Sequence, residues 1–402
     1  MRILQLINRF PWPLKDGGAL GYYNFLKGYH DAGCELTCAV LNTSKHFVDF
    51  EKLPEEVKGL ADFRLSYIDN KIKPIDALKN LLFSEESYHV VRFISKDFEQ
   101  MLENLCKEKQ FDVVVFESIF MAPYLKIIRE NTNAKCVLRA HNVEFEIWQS
   151  LAAIENNSIK KYYLNILSNR LKKYELAQLN LFDGLSCVTE SDAKCFESYG
   201  YTKSWHIAPT GMDISRLAPD YSQIEPNSIL HLGSMDWMPN QEAVKWFIKE
   251  VWPSLKTKHP EIKFYIAGRN MPKEFFNFSG NGIDVLGEVD DAIQLMLSKS
   301  IMIVPLFSGS GIRVKILEGL ALGKCLVSTE MSFTGISVQP DLNLFQAETA
   351  SDFINQISKL ICNPFLIEKT GREARKLVEN KYESSMVIKD ILSYYRNLNN
   401  IK

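Results

Sequence analysis

The residues best equipped for chemistry lie between positions 301 and 323. A hydrophobic run, Ile301-Met-Ile-Val-Pro305, gives way to Ser308-Gly309-Ser310-Gly311, and Arg313, Lys315 and Glu318 follow before Gly323. A buried strand, a small-residue bend and a helix start make an anion site. The first N–H groups of a helix lack partners within it, and the dipole behind them favours negative charge. Gly309 and Gly311 omit the Cβ atoms that would hold a phosphate off. Arg313 and Lys315 oppose the dipole of an isolated helix, a penalty that a bound polyanion would offset. Gly311, Lys315, Glu318 and Leu322 fall at i, i+4, i+7 and i+11 along one face, leaving Leu317, Leu320 and Ala321 for the core. Glu318 then stands ~10 Å up the helix from Gly311, at about 1.5 Å per residue. That is the reach from a diphosphate to the ribose of its own nucleotide. The same spacing would also suit an exposed Lys315–Glu318 pair on a solvated helix. Gly309-x-Gly311-x-x-Val is only a degenerate dinucleotide fingerprint, and hydride chemistry is not expected.

Three further loops follow apolar runs. Asn8-Arg-Phe-Pro-Trp-Pro-Leu-Lys-Asp-Gly17-Gly18 leads into a helical pattern, and its paired glycines permit either close ligand approach or a plain turn. Leu138-Arg-Ala-His141-Asn142-Val-Glu144 puts a histidine directly after a strand, where it could donate to a sugar hydroxyl or phosphate oxygen, or simply satisfy the structure. Leu232-Gly233-Ser234-Met-Asp236-Trp237-Met-Pro-Asn240 offers phosphate approach at Gly233 and Ser234, with Asp236 and Asn240 expected to cap the next helix. There is no Walker A sequence, no His-Glu-x-x-His, no Gly-x-Ser-x-Gly and no strand-end Asp-x-Asp. A metal-clamped sugar nucleotide and Ser-His-Asp chemistry both lose support.

The elements that must position these loops alternate between compact apolar runs and longer amphipathic stretches. Ile3–Ile7, Leu36–Leu41, Val113–Phe116, Cys136–Leu138 and Leu185–Val188 read as strands, with helical stretches near 95–108, 120–131 and 158–180. The pattern restarts beyond 225 with strands at Ile229–Leu232, Phe264–Ala267, Ile283–Leu286, Ile301–Pro305 and Leu326–Ser328, and helical stretches near 240–258, 289–298 and 312–322. Alternation of this kind implies parallel pairing and right-handed crossovers, hence two open, doubly wound α/β sheets. In such sheets ligands bind beyond the carboxyl ends of the strands. The expected layout is a first domain over 1–208, a Pro/Asp/Ser-rich linker over 209–228, a second domain over 229–380 and a final helix over 381–402. That helix caps the second sheet or crosses back to the first domain.

Composition narrows the function. The chain has 402 residues with 47 Lys plus Arg against 49 Asp plus Glu, a net charge of −2, which argues against a duplex nucleic-acid binder. Its eight cysteines form no Cys-x-x-Cys and read as small buried hydrophobes in a reducing compartment. No stretch reaches the ~20 apolar residues of a membrane span, and the start lacks a signal-peptide core. A cytoplasmic protein, at most peripheral at the inner face of the membrane, is expected. The segment Ile159–Tyr174 mixes bases and tyrosines and suits either a solvated, salt-bridged helix or contact with an anionic membrane.

Taken in order, these pieces resemble a GT-B glycosyltransferase of the family 4 type, the group 1 transferases. The first half contributes Gly17-Gly18, Arg139-Ala-His141-Asn142-Val-Glu144 and Val188-Thr-Glu190-Ser-Asp192, and the hinge contributes Pro209-Thr-Gly211-Met-Asp213. The second half contributes Leu232-Gly-Ser-Met-Asp-Trp, Ile266-Ala-Gly268-Arg269, Leu286-Gly-Glu-Val289-Asp290 and Ser308-Gly-Ser-Gly-Ile-Arg-Val-Lys-Ile-Leu-Glu318. The resemblance implies two Rossmann-like domains facing each other across a cleft, the nucleoside-diphosphate sugar held mainly by the second and the acceptor by the first. It implies a retaining, metal-independent hexosyltransferase with no resident cofactor and no metal site, acting on a glycan or lipid-linked acceptor in surface polysaccharide synthesis.

The resemblance also distributes roles. Glu318 matches the second Glu of the family's Glu-x7-Glu and implies a ribose ligand, Val289 the base contact, and His141 a reach to the donor sugar or its phosphate. Arg313 and Lys315 join them in the expected catalytic set. Gly17, Gly18, Gly233, Ser234, Gly268, Arg269, Val289, Ser308, Gly309, Ser310, Gly311 and Ile312 form the expected donor-binding set. This chain departs from the pattern with Ser310 for the first Glu, Thr210 for the hinge Asn, and Asp236 and Trp237 where many relatives place Arg and Lys. Arg313 and Lys315 are expected to supply the missing charge. The competing readings are a sugar-nucleotide epimerase on the same fold and an inactive nucleotide-sugar-binding partner subunit.

Overall fold

A computed structural model describes residues 1–14, 17–155, 157–215, 217–308 and 312–400, with the backbone alone at 17, 154 and 400. The chain divides into two compact units, Met1–Gly211 with Ser384–Lys402, and Met212–Glu383.

In the first unit β1 (Arg2–Ile7), β2 (Glu35–Thr43), β3 (Asp62–Ile68), β4 (Val113–Phe116), β5 (Lys135–Ala140), β6 (Gly184–Cys187) and β7 (Trp205–Ile207) form one sheet in the order β3-β2-β1-β4-β5-β6-β7. Every neighbouring pair is parallel. The continuous apolar runs of β1 and β4 follow from burial on both faces. Leu4, Leu6, Val114 and Phe116 enter one core, while Ile3, Ile7, Val113 and Val115 enter the other.

In the second unit β8 (Glu225–Leu232), β9 (Lys263–Ala267), β10 (Ile283–Gly287), β11 (Lys299–Val304), β12 (Cys325–Ser328) and β13 (Phe345–Gln346) repeat the plan, in the order β10-β9-β8-β11-β12-β13 and again parallel throughout. The expected α/β fold of two doubly wound sheets is therefore present. The strand order reverses between β1 and β4 in one sheet and between β8 and β11 in the other, and these switch points open the crevices where such folds bind ligands.

The elements missing from the sequence reading lie at the margins. β3 is an edge strand whose residues are half-buried or exposed, so no apolar run marks it. β7 is three residues long. The chain leaves the first unit after Gly211 and returns after Glu383, and β8 already begins at Glu225, so the expected linker over 209–228 overlaps both units.

The last helix, Ser384–Asn400, returns to the first unit. Its Ile391 and Tyr395 join the core with Phe25 and Tyr29 of the Gly17–Asp31 helix. The two tyrosine hydroxyls meet at 3.0 Å. Gly28 makes the crossing possible, because a Cβ there would stand 2.3 Å from Ile388 Cγ1.

Candidate functional site

In the Met212–Glu383 unit, the Val314–Ala321 helix has Arg313 as its N-cap residue. Gly309, Ser310 and Gly311 lie outside the described residues. Ile316, Leu317, Gly319, Leu320 and Ala321 are buried, which turns Lys315 and Glu318 away from the core. Gly323 has φ +64° just past the end, the left-handed geometry expected of a stop.

Lys315 donates from Nζ to Asn240 Oδ1 at 2.7 Å. Loss of solvent, reinforced by the Arg313 charge, pulls its ammonium down to about 7. Arg313 is buried with its guanidinium 5.5 Å from the centre of the Trp237 ring, and desolvation lowers it too. Glu318 is half-buried, which raises its carboxyl above the usual range. Below them, on β8, His231 is completely buried and held neutral by desolvation and by the Lys315 charge.

Asn240 is not the expected helix cap. The Met238–Trp246 helix has Trp237 at its N-cap with no side-chain capping bond, and Asn240 lies within the first turn. Its Nδ2 donates to Ser234 O at 2.8 Å while Oδ1 receives Lys315, so it ties the β8 loop to the helix after β11. Asp236 is likewise no cap, for its Oδ1 accepts from Ser234 Oγ at 2.6 Å. The glycines here serve this packing. A Cβ on Gly233 would stand 2.7 Å from Asn240 Nδ2, and one on Gly268 would stand 1.8 Å from Gly233 O. Arg269 is exposed, and its carbonyl receives Met235 N–H at 2.8 Å. Ser308 donates to Glu242 Oε2 at 3.3 Å. Val289 and Ile312 pack against the core formed with Leu317 and Leu320.

The Met1–Gly211 unit has a second polar centre at its own switch point. Glu117, the first residue beyond β4, is completely buried. One oxygen accepts Gln5 Nε2 at 2.7 Å, and the other accepts Arg139 Nη1 at 2.7 Å and meets His141 Nε2 at 2.9 Å. Burial opposes ionisation, yet Arg139 and His141 overcome it and hold the carboxyl down at about 2. The Arg139 guanidinium lies 3.5 Å from the centre of the Phe25 ring. His141 is pulled below its ordinary pKa by burial and Arg139, and the Tyr22 ring meets it edge-on at 4.8 Å. A neutral His141 that donates Nε2–H to the carboxylate keeps Nδ1 as an acceptor. Glu144 begins the Glu144–Ile154 helix, and burial pushes its carboxyl up to about 7. Gly17 and Gly18 are the first residues of the Gly17–Asp31 helix.

Residues 226–363 match the sequence family described as glycosyl transferases group 1. Over nearly its whole length the chain is also 23% identical to an uncharacterized 44.6 kDa protein in the cps region of Klebsiella pneumoniae, covering 97% of this chain and 98% of that one. Solved structures share the fold at lower identity. The HepE protein of Anabaena in complex with UDP superposes with a TM-score of 0.65 at 13% identity, over 99% of this chain and 100% of that one. Sucrose-phosphate synthase of Thermosynechococcus elongatus gives 0.67 at 13%, with both chains fully covered. A glycosyltransferase of Rickettsia africae gives 0.64 at 16%, over 100% and 99%.

Within the matched segment, the expected Gly233, Ser234, Gly268, Arg269, Ser308, Arg313 and Lys315 gather beyond the carboxyl ends of β8, β9 and β11. His141, Gly17 and Gly18 belong to the other unit. The sequence reading missed Asn240 as the partner of Lys315, His231 beneath it, and Glu117 with Gln5 around His141. Glu117 carried the same signal as His141, a polar residue at the end of a buried strand. Asn240 carried none, because its role depends on a residue 75 positions away.

Proposed function

We propose that the chain is a glycosyltransferase that moves a hexose from a nucleoside-diphosphate donor to a glycan or lipid-linked acceptor in surface polysaccharide synthesis, with retention and without a metal ion. The observation that carries this reading is Lys315: a desolvated lysine beside Arg313, hydrogen-bonded to a neutral amide, in the helix that follows a switch-point strand. Such a group gains most from a ligand that brings negative charge. As the glycosidic bond breaks, charge grows on the departing diphosphate, and cations fixed in a low-dielectric site stabilise it without having to reorganise. Glu318, one turn along, suits the ribose hydroxyls. His141, as an acceptor at Nδ1 backed by Glu117, suits a neutral sugar hydroxyl. The cps-region relative supports the polysaccharide setting, and the UDP in the HepE structure makes a UDP-hexose the donor to try first. In this reading the enzyme works in the cytoplasm at the inner face of the membrane. No described helix is long and apolar enough to cross one.

The test is transfer or hydrolysis of UDP-hexoses in the presence of chelator. Lys315→Ala and Arg313→Ala should each lose ~10²–10³ in turnover, and Glu318→Ala should weaken UDP binding in calorimetry. Unchanged rates in both cation variants would sink the assignment.

A further inference from the structure

Beyond β5, the helix Glu144–Ile154 starts without a local cap. Val143 stands at its N-cap and makes no side-chain bond. The first N–H groups of a helix need acceptors, and these find theirs on another helix. Glu175, on Ser158–Leu179, accepts Glu144 N–H at 3.3 Å with one carboxyl oxygen and Phe145 N–H at 3.1 Å with the other. A Ser or Asn at position 143 could cap from within the loop. Reaching to Glu175 instead buries a carboxyl that is 1% exposed, and the charges acting on it, Glu144 and Glu146, are of its own sign. What the arrangement gains is a fixed loop. The stretch from His141 to Glu144 is tied through its backbone to a helix that belongs to the core.

The same tie sets the state of Glu144. A carboxyl at a helix start is ordinarily held ionised by the dipole, but the N–H groups of residues 144 and 145 are spent on Glu175. Glu144 is half-buried beside that second carboxyl, with the Asn142 amide bonded to it, and burial pushes it up to about 7. A carboxyl that keeps its proton gives one hydrogen bond and accepts others. Glu146 takes no part in this, for it is exposed and accepts the Cys195 thiol at 3.1 Å. Glu144 lies towards the switch point. The Tyr22 hydroxyl, 3.1 Å from both Asn8 Oδ1 and Glu117 O, is within its field, and the ring of Tyr22 is the one that meets His141.

We infer that Glu144 is a second ligand for acceptor hydroxyls beside His141, and that Glu175 is the residue that positions the loop carrying both. The inference deepens the glycosyltransferase reading and rests on it. His141 offers an acceptor at Nδ1 and Glu144 offers a donor and an acceptor, so the pair fits neighbouring hydroxyls of a neutral sugar. A uronic acid would set its charge against Glu144 and Glu175. The Arg139 charge is already met by Glu117, and Arg9, the other cation acting on His141, lies over the Tyr22 ring. The acceptor class is therefore a neutral glycosyl residue.

Saturation-transfer NMR of the full chain with methyl glucoside, galactoside, mannoside and glucuronide tests it, alongside transfer from UDP-hexose to the same glycosides. The wild type should prefer a neutral glycoside to the glucuronide. Glu144→Ala should raise the Kd and KM for that glycoside about fivefold, more than it lowers kcat, with UDP affinity in calorimetry unchanged. Glu144→Gln, which also donates and accepts, should stay close to wild type. Glu175→Ala should show the same acceptor-side loss, and Glu175→Gln, which keeps one acceptor oxygen, should fall between. If Glu175→Ala does not fold, Glu175→Gln and the Glu144 pair still decide. No binding of any neutral glycoside, tighter binding of the glucuronide, wild-type behaviour of Glu144→Ala, or a loss that Gln at 144 fails to rescue would each overturn the inference. Glycoside binding that depends on Glu144, in a protein that neither binds UDP nor turns over a donor, would remove the enzyme reading and leave the sugar site standing.

Discussion

The two switch points of this chain are built alike and charged differently. Each lies where a doubly wound parallel sheet reverses strand order, and each buries cations beyond the strand ends. In the first unit the Arg139 charge is met by the fully ionised Glu117, and Gln5 and His141 complete that carboxylate's bonds. In the second, Lys315 is met by the amide of Asn240, and the nearest charge acting on it is another cation. A charge that is already balanced fits a neutral, hydroxyl-rich ligand. A cation held by a neutral partner keeps its capacity for an anion. The contrast supports the proposal of an acceptor side and a diphosphate side.

The largest effect expected from breaking the balanced site is on stability. Glu117→Gln leaves the Arg139 guanidinium buried without its counter-charge, so denaturant unfolding should show a loss of about 3–5 kcal/mol. Lys315→Met in the other unit should leave stability nearly unchanged or raise it, because a desolvated ammonium is removed. The same experiment on both variants decides whether the two sites differ as described. Next comes Asn240→Ala, which withdraws the acceptor from Lys315 and the donor from Ser234 O. It should cost about 1.5–3 kcal/mol of combined stability and UDP affinity, measured by unfolding and calorimetry. Gly233→Ala should reproduce part of that loss by pushing the amide aside.

The pH dependences of the two sites run in the same direction for different reasons. Glu117 is held below its unfolded value, so it contributes stability above about pH 4.5 that disappears as pH falls towards about 2. Lys315 is also depressed, from 10.5 to about 7, so its contribution is present above pH 10.5 and is lost as pH falls through that window. A bound diphosphate would restore the ammonium. At pH 8, UDP binding should therefore take up nearly one proton, seen as a dependence of the calorimetric heat on buffer ionisation enthalpy. No uptake would mean that Lys315 does not face the diphosphate.

Much of this was legible in the sequence. The runs at Ile3–Ile7, Val113–Phe116 and Ile301–Pro305 announced buried parallel strands, because a strand covered on both faces can carry few polar residues. The order of the loops after those strands pointed to Arg313, Lys315, Glu318 and His141. β3 escaped because an edge strand needs no continuous apolar run. Asn240 was misread as a cap because Asn is a preferred N-cap residue, while its bond to Lys315 is a matter of packing.

The sequence by itself determined which strands are buried, where the small-residue loops fall and which residues can carry charge, since these follow from local periodicity and side-chain chemistry. Only the tertiary structure decided which charges are balanced. The distances that set Glu117 against Arg139, and an amide rather than a carboxylate against Lys315, arise when strands and loops far apart in the chain converge on one sheet edge. An electrostatic environment depends on that convergence and on the water it excludes, and neither is written in any single segment.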